Sequence, residues 1–137
     1  MRYLAIDYGD KHTGLAICDP AETIASPLTV IDGQKDLIKK IADIVKNENV
    51  EAIVIGLPLN MNDSHGFRAK LVIRFADKLK AHLHIPIHFQ DERLSTFAAE
   101  EKLNFTEFTR KKKKKKRLDA IAAAEILEAF LEQKNAP

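Results

Sequence analysis

The chain has 137 residues, 45% of them hydrophobic, which suits one domain with a real core. A net charge of +2 selects no partner by itself, and no apolar run approaches the roughly 20 residues that span a bilayer. One cysteine, Cys18, excludes an intrachain disulfide, and with a start that lacks signal-peptide shape the expectation is a soluble cytoplasmic protein with no membrane partner.

Arg2 to Tyr8 reads as a strand rich in apolar and aromatic residues. Gly9-Asp10-Lys11-His12 holds turn formers, and Gly14 to Cys18 reads as a second strand close enough for an antiparallel hairpin. Gly9 and Gly14 are expected to serve turn geometry. Ser26 to Ile31 is a third strand, ended by Asp32-Gly33. Leu37, Ile38, Ile41, Ile44 and Val45 then recur at helical spacing. Val50 to Leu57 is nearly continuous in apolar residues, as in a strand covered on both faces, and Pro58 stops it. Asp63 or Ser64 can cap a helix carrying Phe67, Leu71, Phe75 and Leu79 four residues apart. Ile85 to Phe89 is a short strand, Ser95 can cap a short helix to about Leu103, and Leu118 to Gln133 is the last helix. This order predicts an α/β fold: a mixed five-stranded sheet with helices on both faces, in a single domain over 1–137 with a basic loop at 110–117 and a frayed tail at 132–137.

Eight of the 22 basic residues form that one run: Arg110, Lys111, Lys112, Lys113, Lys114, Lys115, Lys116 and Arg117. The remaining 14 face 20 acidic residues, so an acidic body carries a cationic strip. Mutual repulsion argues against local order in the free strip, while its charge suits capture of phosphates. Dense aromatic interleaving is missing, so backbone and shape recognition is expected over base reading.

Acidic residues stand out of place at three points of the chain. Asp7 ends the first strand, Asp91 and Glu92 end the last, and Asp119 lies at the margin of the apolar stripe of the final helix. That stripe holds Ala120, Ala123, Ala124, Ile126, Leu127, Phe130 and Leu131, with Glu125, Glu128 and Glu132 assigned to the opposite, wet side. Singly, each carboxylate reads as a cap or an ion pair. Converging within about 4 Å, each pair would repel by roughly 4 kcal/mol at an effective dielectric of 20, and a divalent cation would reverse that sign. Oxygen donors without paired histidines or thiolates favour Mg²⁺ or Mn²⁺ over Zn²⁺. His82, His84 and His88 lack zinc-like spacing and read as surface or strand residues.

The segments AIDYGDKHTGLAICDP, IVIGLPLNMNDS, DERLST and LDAIAAAEIL, in this order and spacing, resemble the YqgF family over nearly the whole chain. These are small bacterial RNase H-like proteins described as pre-16S ribosomal RNA nucleases or as Holliday-junction-resolvase-like. The resemblance implies an RNase H-like fold whose acidic metal ligands fall on Asp7, Glu92 and Asp119. Gly9, Asn60 (with Met61) and Asp91 would support that site, and Lys11 and Arg93 would join the basic run in contacting nucleic acid. The run is less mixed here than is usual in the family. Two ions roughly 4 Å apart would clamp the scissile phosphate, with 5′-phosphate and 3′-hydroxyl products. The expected partners are precursor rRNA or branched DNA, with a ribosomal particle as a further candidate, and the expected state is a monomer or homodimer. Three other readings compete: a Holliday junction resolvase, a non-catalytic module binding RNA or a transcription factor, and a phosphotransferase or ATPase of the actin type.

Overall fold

The computed structural model describes residues 1–58, 63–91 and 111–137. Their elements run β1 (Tyr3–Asp7), β2 (His12–Cys18), β3 (Ala25–Asp32), α1 (Leu37–Asn47), β4 (Ala52–Leu57), α2 (Asp63–His82), β5 (Ile87–Asp91) and α3 (Lys111–Lys134). The five strands form one sheet in the order β3-β2-β1-β4-β5. β1–β2 and β2–β3 are antiparallel hairpins, whereas β1–β4 and β4–β5 are parallel. Parallel neighbours need a crossover, and α1 and α2 supply the connections into β4 and β5. The mixed sheet expected from the sequence is therefore present, with helices on both faces. The helix expected from Ser95 to Leu103 lies outside the described residues, as does the turn at Asn60 and Met61.

Alternation along the central strand divides the core in two. Leu4 and Ile6 of β1 face α1 and α2, packing with Leu15, Ile53, Ile55, Ile41, Phe75 and Leu79. Tyr3 and Ala5 face the other way, onto α3, with Ala16, Ala52, Val54, Ala123, Ile126 and Leu127. On this second side the sheet offers alanines and the helix answers with alanines, so the backbones can approach closely. That explains why β1 and β4 read as continuous apolar runs: both of their faces are buried.

Local chemistry fixes the element ends. Asn49 adopts φ 55° just past α1, the left-handed exit that asparagine tolerates. Pro27 sits on the edge strand β3 beside a break in register, where Leu15 and Ala16 pair with Thr29 and Pro27 and skip Leu28, so a missing donor does no harm. The β2–β3 connection is closed by Asp19, whose carboxylate accepts from the Thr23 hydroxyl and from the Ile24 and Thr23 amides. Those bonds, the Thr23 hydroxyl foremost, lower its pKa from 3.8 to about 2. The Cys18 thiol is buried, bonded by the Tyr3 amide at 3.2 Å, and burial pushes its pKa up.

Of the four-residue row on α2, Phe67 is 64% exposed. A strict four-residue step drifts by about 40° around the helix each time, so by Phe67 the row has left the core-facing side set by Phe75 and Leu79. Glu125 is buried, not on a wet face. α3 meets β1, β2 and β3 and also β4 and β5, so its burial is wider than one stripe. The loop expected over 110–117 is also replaced: α3 begins at Lys111 and runs to Lys134, into the tail expected to fray. Lysine is a good helix former, and a helix already docked from Asp119 onward extends backwards without a new nucleation cost.

Candidate active site

β1, β4 and β5 are parallel, so their C-terminal ends share one sheet edge. In open α/β sheets that edge is where ligands bind. Asp7 closes β1 there, half-buried, and by alternation lies on the α3 side with Tyr3 and Ala5. Its cross-strand partner is Gly14. Gly14 lies inside β2, so turn geometry does not explain it. A Cβ at this position would overlap the carbonyl group of Asp119 and stand 2.9 Å from the Ala120 amide nitrogen. The absent side chain is what lets α3 rest its Asp119 backbone on β2, directly across from Asp7. Asp7 and Asp119, 112 positions apart in the chain, are thus brought to one spot by Gly14. Gly9 does serve the turn, since a Cβ there would collide with the His12 carbonyl.

The other expected residues divide clearly. Asp91 pairs with Leu57 and lies on the α1–α2 side, away from Asp7. Lys11 is exposed in the β1–β2 turn at the candidate edge. Lys111, Lys112, Lys113, Lys114, Lys115, Lys116 and Arg117 make up the first two turns of α3, with Leu118 alone between them and Asp119. Glu92, Arg93, Arg110 and Asn60 lie outside the described residues. Among the described residues no group of three or more His, Cys, Asp or Glu is placed to hold a metal ion.

Two features of this edge had no signal in the sequence. Gln34, just past β3, donates from Nε2 to the carbonyls of Gly9 (2.8 Å) and Asp10 (3.1 Å). Its Oε1 accepts from the Tyr8 hydroxyl at 3.0 Å. One amide therefore braces the turn that follows Asp7. Burial of the Tyr8 phenol, and behind it the Asp10 carboxylate, raises its pKa and keeps the hydroxyl able to donate. His12 pairs with Asp32 across β2 and β3, Nδ1 to Oδ1 2.8 Å, on the same side of the sheet as Gly14. Only spatial pairing joins these residues, at separations of 20 to 26 positions.

The sheet order and the packing of α3 across the five strands define an RNase H-like fold. Two solved structures share that fold: a complex titled "T. thermophilus RuvC in complex with Holliday junction substrate" (TM-score 0.63, 13% identity, 99% of this chain and 97% of that one), and the Fowlpox virus resolvase with substrate Holliday junction DNA (TM-score 0.59, 11% identity, 98% and 99%). The chain belongs to the RuvX family, described as Holliday junction resolvase, whose model matches residues 1–133. Relatives named "Putative pre-16S rRNA nuclease" include one from Caldanaerobacter subterraneus subsp. tengcongensis, 44% identical over 98% of this chain and 99% of its own length. Another, from Roseiflexus sp. strain RS-1, is 39% identical over 96% and 94%. These matches bear out the family resemblance carried by the four motifs and place the chain among phosphodiester-hydrolysing enzymes. No helix among the described residues is long and apolar enough to cross a membrane.

Proposed function

We propose that this chain is a metal-dependent endonuclease of the cytoplasm that cuts structured nucleic acid, with 5′ processing of precursor 16S ribosomal RNA as its task. The observation that carries this reading is the crossing at Gly14, which sets the Asp119 backbone of α3 opposite Asp7. Two acidic residues placed at one sheet edge beside a cationic helix start would offer hard oxygen donors, which fits Mg²⁺ or Mn²⁺. Asp7, Asp119 and Glu92 would hold the ions, Glu92 following directly on the last residue of β5 in the chain. When bound, such ions supply Lewis-acid activation of water and offset charge on the leaving oxygen. The chain's own groups do the rest. β1 holds Asp7 on a rigid central strand, Gln34 fixes the turn behind it, and Lys11, Arg93 and residues 110–117 hold the phosphates on either side. Water attacks phosphorus, the P–O3′ bond breaks, and a 5′-phosphate and a 3′-hydroxyl result.

A second reading, junction resolution, is supported by the family description and by the neighbours' titles. It requires a symmetric dimer to cut two strands. One experiment separates the readings. A labelled ribosomal precursor and a four-way junction are incubated with Mn²⁺ and either wild type, Asp7→Asn or Glu92→Gln. Both variants should retain binding by fluorescence anisotropy and lose cleavage at least a hundredfold. Cleavage that survives in Asp7→Asn overturns the active-site assignment, and preference for the junction over the precursor moves the substrate to branched DNA.

A further inference from the structure

Behind Asp7, on the side of the sheet away from α3, lies a groove that the nuclease reading does not use. Tyr8, the next residue after Asp7, turns to the α1–α2 side and packs at its floor. A cavity of about 310 Å³ opens there, lined by Tyr8, Gln34, Leu71, Arg74, Phe75 and Lys78. A second cavity, about 210 Å³, shares Tyr8 and Leu71 and reaches Gly9, Asp10 and Arg68. The Tyr8 and Phe75 rings are stacked, with centroids 4.2 Å apart and planes 16° apart. The Tyr8 hydroxyl is held by Gln34. Arg74 and Lys78 are both exposed, one turn apart on α2, and Lys70 continues their row at the same spacing. Among the described residues neither Arg74 nor Lys78 takes part in an ion pair.

The chemistry selects the ligand. An aromatic and aliphatic floor accepts a planar ring without reading its edge. A row of exposed cations on one wall accepts phosphates at successive positions. A channel that combines the two suits single-stranded nucleic acid. The position agrees, since the groove opens one residue from Asp7, across the strand. We propose that it holds a single-stranded segment flanking the scissile phosphate, with Arg74 and Lys78 on its phosphates and a base against the half-buried Tyr8 side chain, which the buried Phe75 ring backs. The inference rests on the nuclease reading for where the cut lies, but the binding itself can be measured without cleavage.

The test uses a labelled RNA hairpin with and without a six-nucleotide uridine tail, wild type and the Arg74→Gln/Lys78→Gln double variant, read by fluorescence anisotropy. Both substituted residues are exposed, and circular dichroism checks the fold. The variant should bind the tailed RNA about tenfold more weakly, with the log–log salt slope reduced by about 1.4, as expected for two lost single-strand phosphate contacts. Its affinity for the tail-free hairpin should be unchanged. Equal affinity of both proteins for the tailed RNA overturns the proposal. ATP that displaces the tail from wild type as well as free oligouridine does would also overturn it, by making the groove a mononucleotide site. Cleavage of the tail-free hairpin is scored in parallel and should be equal in the two proteins. If neither cleaves any substrate, the nuclease reading falls, while the anisotropy still decides the groove.

Discussion

Gly14 controls the candidate site through an atom it lacks. In Gly14→Ala the new methyl would overlap the Asp119 carbonyl group, and the obstacle is backbone, so α3 has to move as a body. Overpacking of this kind costs about 1–3 kcal/mol. Urea unfolding should show that loss, and cleavage should fall with it because Asp119 moves with the helix. Gly66→Ala is the control: nothing lies within 4 Å of an added methyl there, and the residue is helical, so stability should rise by about 0.5–1 kcal/mol. A Gly14→Ala protein as stable and as active as wild type would remove the crossing from the account. The acids on either side of Gly14 were legible in the sequence, because Asp7 ends an apolar strand and Asp119 borders an apolar stripe. The glycine was not, because glycine next to a turn reads as turn geometry until the helix lying on it is seen. Gln34 left no trace either, since its partners lie 24 to 26 residues away.

At the scale of elements, α3 contains a conflict. Its first turn has no acidic residue, and six lysines stand where the positive end of the helix dipole lies. Like charges at four-residue spacing add a few tenths of a kcal/mol each against the helix. The docked part, from Asp119 through Leu131, supplies the packing that carries these turns. Lys111→Glu should therefore act in two directions at once. It should raise stability by about 0.3–1 kcal/mol in a thermal or urea melt at low salt, and weaken nucleic-acid binding. A variant that loses stability would place the cations' value in folding, contrary to this argument. The elements themselves were largely legible. The β1–β2 hairpin, the doubly covered β4 and the α1 stripe of Leu37, Ile41 and Val45 follow from local period. The start of α3 did not, because local repulsion predicts a loop, and only the anchored remainder of the helix outweighs it. Glu125 was misplaced for a related reason: a helical wheel assumes one covered face, and α3 meets all five strands.

For the molecule as a whole, charge is divided by place and its average says little. The 14 basic residues outside the 110–117 run are outnumbered by 20 acidic ones, so the densest source of long-range attraction to a polyanion is the segment before Asp119. If about six phosphates on duplex are engaged, the log–log dependence of affinity on salt should have a slope near −5. A flat response in a filter-binding or anisotropy titration would remove the strip from recognition. The hidden sulfur of Cys18 has a practical consequence. Maleimide and iodoacetamide react with exposed thiolate, and this thiol is both covered and held protonated. A cysteine introduced at any exposed position would thus be the one that takes a dye, so distances to a labelled oligonucleotide can be surveyed by energy transfer in the otherwise native chain.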